Sequence, residues 1–291
     1  MSLWKNYHLA QSVQDALDLL AGAPQPARLV AGGTDLLLDL QQGRHPPVET
    51  LVDITAIPEM NRLEIEAGRL WIGAAVPLNR IVANPLVCQH AEALFEACGL
   101  IGGPQVRNTA TLGGNVAHAL PAGDGTIALL ALDAQAEIAS LSARKLVPIE
   151  SLFLGPGQSA LVQEHALLLG FSLPLGHPGQ GSVHRRVMRP QGVAIAILNM
   201  ALWLEKQDGR IAQARLAVGP AGPVPFRARR AEAALQGQPM TANTLAAARQ
   251  ALLAEARFRT SPHRATAEYR QHVAGVLLEE ALSTAWQRSN P

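Results

Sequence analysis

A chain of 291 residues has room for roughly two domains of ~150 residues each. Its 48% apolar and 16% charged content supports a packed core and excludes an extensively disordered chain. A net charge of +1 and 4% aromatic content speak against a nucleic-acid surface, and the two cysteines, Cys88 and Cys98, are too few for an iron–sulfur cluster or a disulfide framework, so both are read as plain thiols inside the fold.

Taken in chain order, the N-terminal stretch has neither the basic start nor the apolar run of a secretory signal. Ser12 is placed to cap a helix in which Val13, Ala16, Leu17 and Leu20 recur at helical spacing, and Gly22, Pro24 and Pro26 end it. A short strand over residues 28–31 runs into Gly32-Gly33-Thr34-Asp35, Leu36 begins a second helix, and residues 51–54 read as another strand. The opening is therefore a small α/β unit. Residues 63–66 and 70–73 read as a hairpin turning at Gly68-Arg69. Helices are expected at 78–83 and 91–98, then a second glycine turn, Thr111-Leu112-Gly113-Gly114-Asn115, a helix at 126–132, and strands at 137–141 and 167–173.

Residues 174–181 are rich in proline and glycine and read as a linker. Beyond them, residues 193–204 and 211–218 flank Asp208-Gly209, a strong hairpin pair. Helices are expected at 228–235, 245–256 and 264–286. The longest apolar run, residues 193–204, is broken by Asn199 and falls short of the roughly 20 residues a membrane span needs. The expectation is a cytoplasmic protein with no membrane span. The histidines show no metal-ligand spacing, and Arg227, Arg229 and Arg230 read as a solvent- or subunit-facing basic cluster.

The two glycine turns carry the chemistry. A dinucleotide brings a doubly charged diphosphate, which converging backbone N–H groups can bind where no Cβ blocks approach. Paired glycines between a strand and a helix suit this, and the helix start adds partial positive charge. Neither turn has the G-x-G-x-x-G spacing of a nucleotide-binding βαβ unit. A single Gly-Gly turn is ordinarily just a tight turn, and the spacing does not name a cofactor.

Ala31-Gly32-Gly33-Thr34-Asp35, followed by Val106-Arg107-Asn108-Thr109-Ala110-Thr111-Leu112-Gly113-Gly114-Asn115, resembles the FAD-binding (medium) subunit of the molybdenum hydroxylase family. The similarity extends through Leu51-Val52-Asp53-Ile54, Ile72-Gly73-Ala74 and Thr266-Ala267-Glu268-Tyr269-Arg270. It implies an α+β fold: a two-part FAD-binding domain of the vanillyl-alcohol-oxidase type over residues 1–176, divided near residue 56, then a smaller α+β domain over 182–288 with a short antiparallel sheet and helices. It implies non-covalent FAD here, with molybdopterin on a large partner subunit and 2Fe-2S clusters on a small one, and NAD, a quinone or oxygen as external acceptor.

Carried over by position, the resemblance marks Leu29, Val30, Ala31, Gly32, Gly33, Thr34, Asp35 and Leu36 in the first turn, and Thr111, Gly113, Gly114 and Asn115 in the second. It adds Asp124 as an acceptor for sugar hydroxyls, Leu168 near the adenine, Ile101 near the flavin ring, and His184, or a nearby arginine in Val183-His184-Arg185-Arg186, near flavin N1. Asp124 can also be read as a loop cap, Leu168 as core, and His184 as a solvated strand edge. His184 and Gln191-Gly192 depart from the residues of many relatives, which bears on the acceptor. His118 follows the second turn closely enough to approach a cofactor. A free-standing FAD oxidoreductase and a flavin-free module of the same fold are the alternatives.

Overall fold

The computed structural model describes residues 2–189 and 195–290. Its first unit runs β1 (Trp4–Leu9), α1 (Val13–Gly22), β2 (Ala27–Val30), α2 (Leu36–Gln41) and β3 (Val48–Asp53), with the strands parallel in the order β1-β3-β2. Ser12 Oγ accepts the Asp15 N–H at 3.1 Å, the helix cap expected from sequence. Strand β1 was not expected. It is a mostly exposed edge strand built of Lys5, Asn6, Tyr7 and His8, and no apolar period announces it. Val30, Leu40, Val48 and Leu51 form a small core with Trp4, Leu36 and Leu37 packed against it.

The second unit begins with the hairpin β4 (Leu63–Glu66) and β5 (Arg69–Gly73). Its turn falls on Ala67-Gly68, one residue earlier than expected, and both residues have positive φ, 49° and 73°. Then come α3 (Leu78–Val82), α4 (Pro85–His90), α5 (Glu92–Leu100), α6 (Pro104–Arg107), α7 (Leu112–Ala117) and α8 (Asp124–Ala131), followed by β6 (Gln135–Ala139), β7 (Arg144–Pro148), β8 (Phe153–Gly155), β9 (Gln158–Ser159), α9 (Ala160–Gln163) and β10 (Leu167–Pro174). The sheet is antiparallel, ordered β4-β5-β10-β6-β7. Edge strand β7 escaped the sequence reading because Arg144, Lys145 and Leu146 are all exposed.

The last unit is the antiparallel sheet β11 (Gln180–Val187), β12 (Leu198–Gln207), β13 (Arg210–Gly219) and β14 (Phe226–Arg227), with α10 (Arg229–Leu235), α11 (Ala242–Glu255) and α12 (Ala267–Arg288). Asp208 and Gly209 make the expected hairpin turn, with φ of 50° and 71°. The expected linker contracts to residues 175–179, because β10 extends to Pro174 and β11 starts at Gln180. This sheet is buried on both faces. Leu198, Met200, Leu202 and Leu204 join the core with α10–α12, while Ala201, Trp203 and Ala217 join the core of the preceding unit. Alternation along a strand thus sends successive side chains into two different cores.

Candidate functional site

A cavity of about 1210 Å³ opens where the first unit, the second unit and the C-terminal sheet meet. Its first wall is the connection from β2 to α2. Gly33 takes φ 67°, a left-handed value that glycine adopts without a Cβ penalty. Gly32 has a different reason to be glycine. A Cβ there would lie 2.1 Å from the Thr109 carbonyl oxygen and 2.8 Å from Ala110 Cα, so the two motifs touch backbone to backbone. The N–H groups of Gly32, Gly33, Thr34 and Asp35 donate to no acceptor among the described residues. They line the cavity, and a row of unsatisfied amides beside open space is a cradle for an anion.

The second turn works otherwise than its sequence suggests. The Gly113 N–H donates to Ala74 O at 2.9 Å, the Gly114 N–H to Thr111 Oγ1 at 3.0 Å and the Asn115 N–H to Thr111 O at 3.1 Å. These amides are engaged in starting α7 and fixing it to the second unit, so the convergence of both turns' amides does not occur. Gly113 is buried off the cavity, and a Cβ there would meet Ala74 at 2.5 Å. Gly114 is on the wall as a flat patch with only Thr111 Oγ1, at 3.2 Å, near its missing Cβ. Asn115 Oδ1 accepts the Thr126 N–H at 3.2 Å, which leaves the side-chain NH2 of this wall residue as a donor for a ligand.

Asp124 opens α8 and is buried on the wall. Arg186 Nη1 donates to its Oδ2 at 2.7 Å and Asn199 Nδ2 to its Oδ1 at 2.7 Å. His184 Nε2 stands 3.4 Å from Oδ1. Burial raises the Asp124 pKa, but His184, Arg186 and Asn199 together overcome that and hold the carboxyl below its ordinary range. A folded-state pKa below the unfolded value gives stability that is present above the unfolded pKa and lost as pH falls through the folded one. The expected result is normal thermal stability at neutral pH and a decline below about pH 4 that is smaller in Asp124→Asn, read by thermal melts at a series of pH values. Equal acid sensitivity in the two proteins would contradict it.

Residues 29–36, Ile101, Thr111, Gly114, Asn115 and Asp124 all lie on this one cavity, as does His118. Gly113, Leu168 and His184 do not. Leu168 is core at a bulge in β10. His184 is no solvated edge: it is 1% exposed, because α5 and α12 cover the two faces of β11. It stands behind Asp124, and its backbone N–H donates to Glu96 Oε2 at 2.8 Å, tying β11 to α5. Gln191-Gly192 lies outside the described residues. Arg227 is a correction as well, since its side chain is buried and forms a two-pronged pair with Glu232 at 2.7 and 2.8 Å, whereas Arg229 is exposed. Of the two thiols, Cys98 is buried and its pKa pushed up by that burial, but Cys88 is exposed rather than inside.

Sequence reasoning missed Asn199, and it reached Arg186 only as an arginine near His184, not as the partner of Asp124. Arg186 sits two residues from His184 on the same strand, a period-2 relation that would have aimed both at one face. Arg186 Nε is buried on the wall with no hydrogen-bond partner among the described residues. That orphaned donor, the free amides of residues 32–35 and the size of the cavity, above the ~300–1,000 Å³ of common small-ligand pockets, fit a large anionic dinucleotide such as FAD.

The class that this fold and cavity define is a FAD-binding α+β flavoprotein subunit. The family model for the FAD binding domain in molybdopterin dehydrogenase matches residues 3–176, and that for the CO dehydrogenase flavoprotein C-terminal domain matches residues 184–285. The xanthine dehydrogenase FAD-binding subunit of Escherichia coli O157:H7 is 32% identical over 96% of this chain and 95% of its own length. The carbon monoxide dehydrogenase medium chain of Hydrogenophaga pseudoflava is 30% identical over 97% of each. Among solved structures, the carbon monoxide dehydrogenase of that organism superposes with a TM-score of 0.92 at 31% identity, and quinoline 2-oxidoreductase from Pseudomonas putida 86 with 0.89 at 26%, each over 98% of both chains. The chain belongs to the FAD-binding subunits of the molybdenum hydroxylase family; it binds FAD and is an oxidoreductase subunit. No helix among the described residues is long and apolar enough to cross a membrane, and no cluster of His, Cys, Asp and Glu among them could hold a metal ion.

Proposed function

We propose that this chain is the electron-transferring flavin subunit of a larger enzyme, receiving electrons from 2Fe-2S clusters on a small partner subunit after substrate oxidation on a large molybdopterin subunit. It passes them to an external acceptor, NAD, a quinone or oxygen, in the cytoplasm. Residues 1–176 form its cofactor-binding part and residues 182–288 the smaller domain that closes the cavity. FAD supplies the redox chemistry, as a carrier able to exchange electrons singly and in pairs. The chain supplies binding and electrostatics. The amides of residues 32–35 hold the diphosphate, and the Asn115 side chain donates beside it. Asp124 accepts from sugar hydroxyls on the lone pairs that Arg186 and Asn199 leave open. Arg186, on the wall where His184 is not, is the cation placed to offset negative charge on the bound cofactor.

The observation that carries this reading is the engaged state of the buried carboxylates among the described residues of the wall, which His45, His118 and His263 also line. Its buried carboxylates, Asp39 and Asp124, are both ion-paired, with Arg44 and Arg186. Neither stands ready as a general base for a substrate of the chain's own. The test is anaerobic reduction of the FAD-loaded chain, alone and with its co-purifying partners. Organic substrates are expected to bleach the flavin only when the partners are present. Reduction of the isolated chain by an organic substrate would overturn the proposal in favour of a free-standing oxidoreductase.

A further inference from the structure

The C-terminal domain brings a second group of donors to the cavity, from the segment before α12 and its first turns. Arg259, Arg264 and Arg270 all line it, with Ser261 and His263. Arg259 and Arg264 are exposed, while Arg270 is 1% exposed and is among the largest fully buried side chains of the described residues. Arg270 Nε and Nη1 have no hydrogen-bond partner among the described residues. Arginine is almost never buried unless paired, and an uncompensated buried charge is strongly destabilising. Burial lowers the pKa of this guanidinium, and the repulsive charges of Arg264 and Arg259 lower it further. The buried carboxylates on the wall already have arginine partners of their own.

An arginine held in this way is complete only with an anion. A phosphate offers two oxygens to the planar fork of a guanidinium, and two exposed arginines at the mouth would concentrate phosphorylated ligands near it. We propose that Arg270 is the base of a phosphate-binding subsite, with Arg259 and Arg264 at its mouth. The phosphate comes from FAD's own diphosphate or from a phosphorylated electron acceptor entering the same cavity. The assignment of the cavity to FAD enters only in choosing between these sources.

The experiment compares the full chain with Arg270→Gln. In one arm the apo proteins are titrated with FAD and with riboflavin, which lacks phosphate. In the other, the FAD-loaded proteins are titrated with inorganic pyrophosphate by calorimetry. If the subsite serves FAD, the variant binds FAD about tenfold more weakly and riboflavin unchanged. If it serves the acceptor, FAD affinity holds and pyrophosphate binding weakens by about tenfold. The apo variant is also expected to melt at a higher temperature than wild type, because a buried unpaired charge has gone. FAD and pyrophosphate affinities both within twofold of wild type would overturn the proposal. Should Arg270→Gln fail to fold, the surface pair Arg259→Gln/Arg264→Gln tests it, with a flatter salt dependence of FAD or pyrophosphate binding expected and an unchanged one for both contradicting it. Neither arm requires electron transfer. Turnover of an organic substrate by the isolated chain would sink the electron-transfer reading and leave this inference standing.

Discussion

Replacing Gly32 by alanine is expected to strip the chain of most of its FAD. The new Cβ would stand 2.1 Å from the Thr109 carbonyl oxygen and 2.7 Å from the carbonyl carbon, both backbone atoms that cannot rotate aside. Something must shift, and the parts in contact are the two motifs that line the cavity. Overpacking of this kind costs about 1–3 kcal/mol, and if it separates the turns most of that falls on cofactor affinity, about ten- to a hundredfold. The check is the flavin-to-protein ratio after gel filtration, with FAD affinity from fluorescence quenching. Gly22→Ala is the control: a Cβ at the end of α1 meets nothing within 4 Å, so occupancy should match wild type. Wild-type FAD affinity in Gly32→Ala would show that the contact between the turns does not shape the site.

Asp124→Ala is expected to have the largest effect on stability. It leaves the Arg186 guanidinium, whose side chain is 7% exposed, without its counter-ion, and Asn199 Nδ2, wholly buried, without one of its acceptors. Removing one partner of a buried pair costs about 3–5 kcal/mol, a large share of the 5–15 kcal/mol that ordinarily holds a domain together. Asp124→Asn keeps shape and an acceptor oxygen and should cost less. Urea denaturation of the three proteins measures the difference, and an Asp124→Ala midpoint equal to that of wild type would contradict the account. Because α8 and the β11–β12 pair meet through this carboxylate, the loss is expected to loosen the C-terminal sheet from the cofactor-binding part.

Much of the fold was legible because local chemistry decides it. The Ser12 cap, the hairpin at Asp208-Gly209, the apolar period of α1 and the strand–glycine–helix passage at residues 28–38 each announce themselves in a few residues. Strands β1 and β7 did not, since their side chains face water and only pairing with β3 and β6 orders them. The candidate site divides in the same way. The first glycine motif reads correctly as a strand-to-helix turn with free amides. Gly113 misleads, since its amide and its missing Cβ serve packing against Ala74, a residue far off in sequence that no local pattern connects to it. Asp124, Arg186, Asn199 and Arg270 come from four separate elements. Their meeting is a product of the tertiary fold, which is why only the resemblance pointed to Asp124 and nothing pointed to Arg270 as a cavity residue.

The most direct test of the central claim is the visible spectrum of the purified full chain before and after acid precipitation. A yellow protein is expected, carrying close to one flavin per chain, which acid releases intact into the supernatant as FAD. A colourless preparation that takes up no added FAD would contradict the account at its root, and colour that stays with the precipitate would contradict a cofactor held by backbone amides and side-chain hydrogen bonds alone.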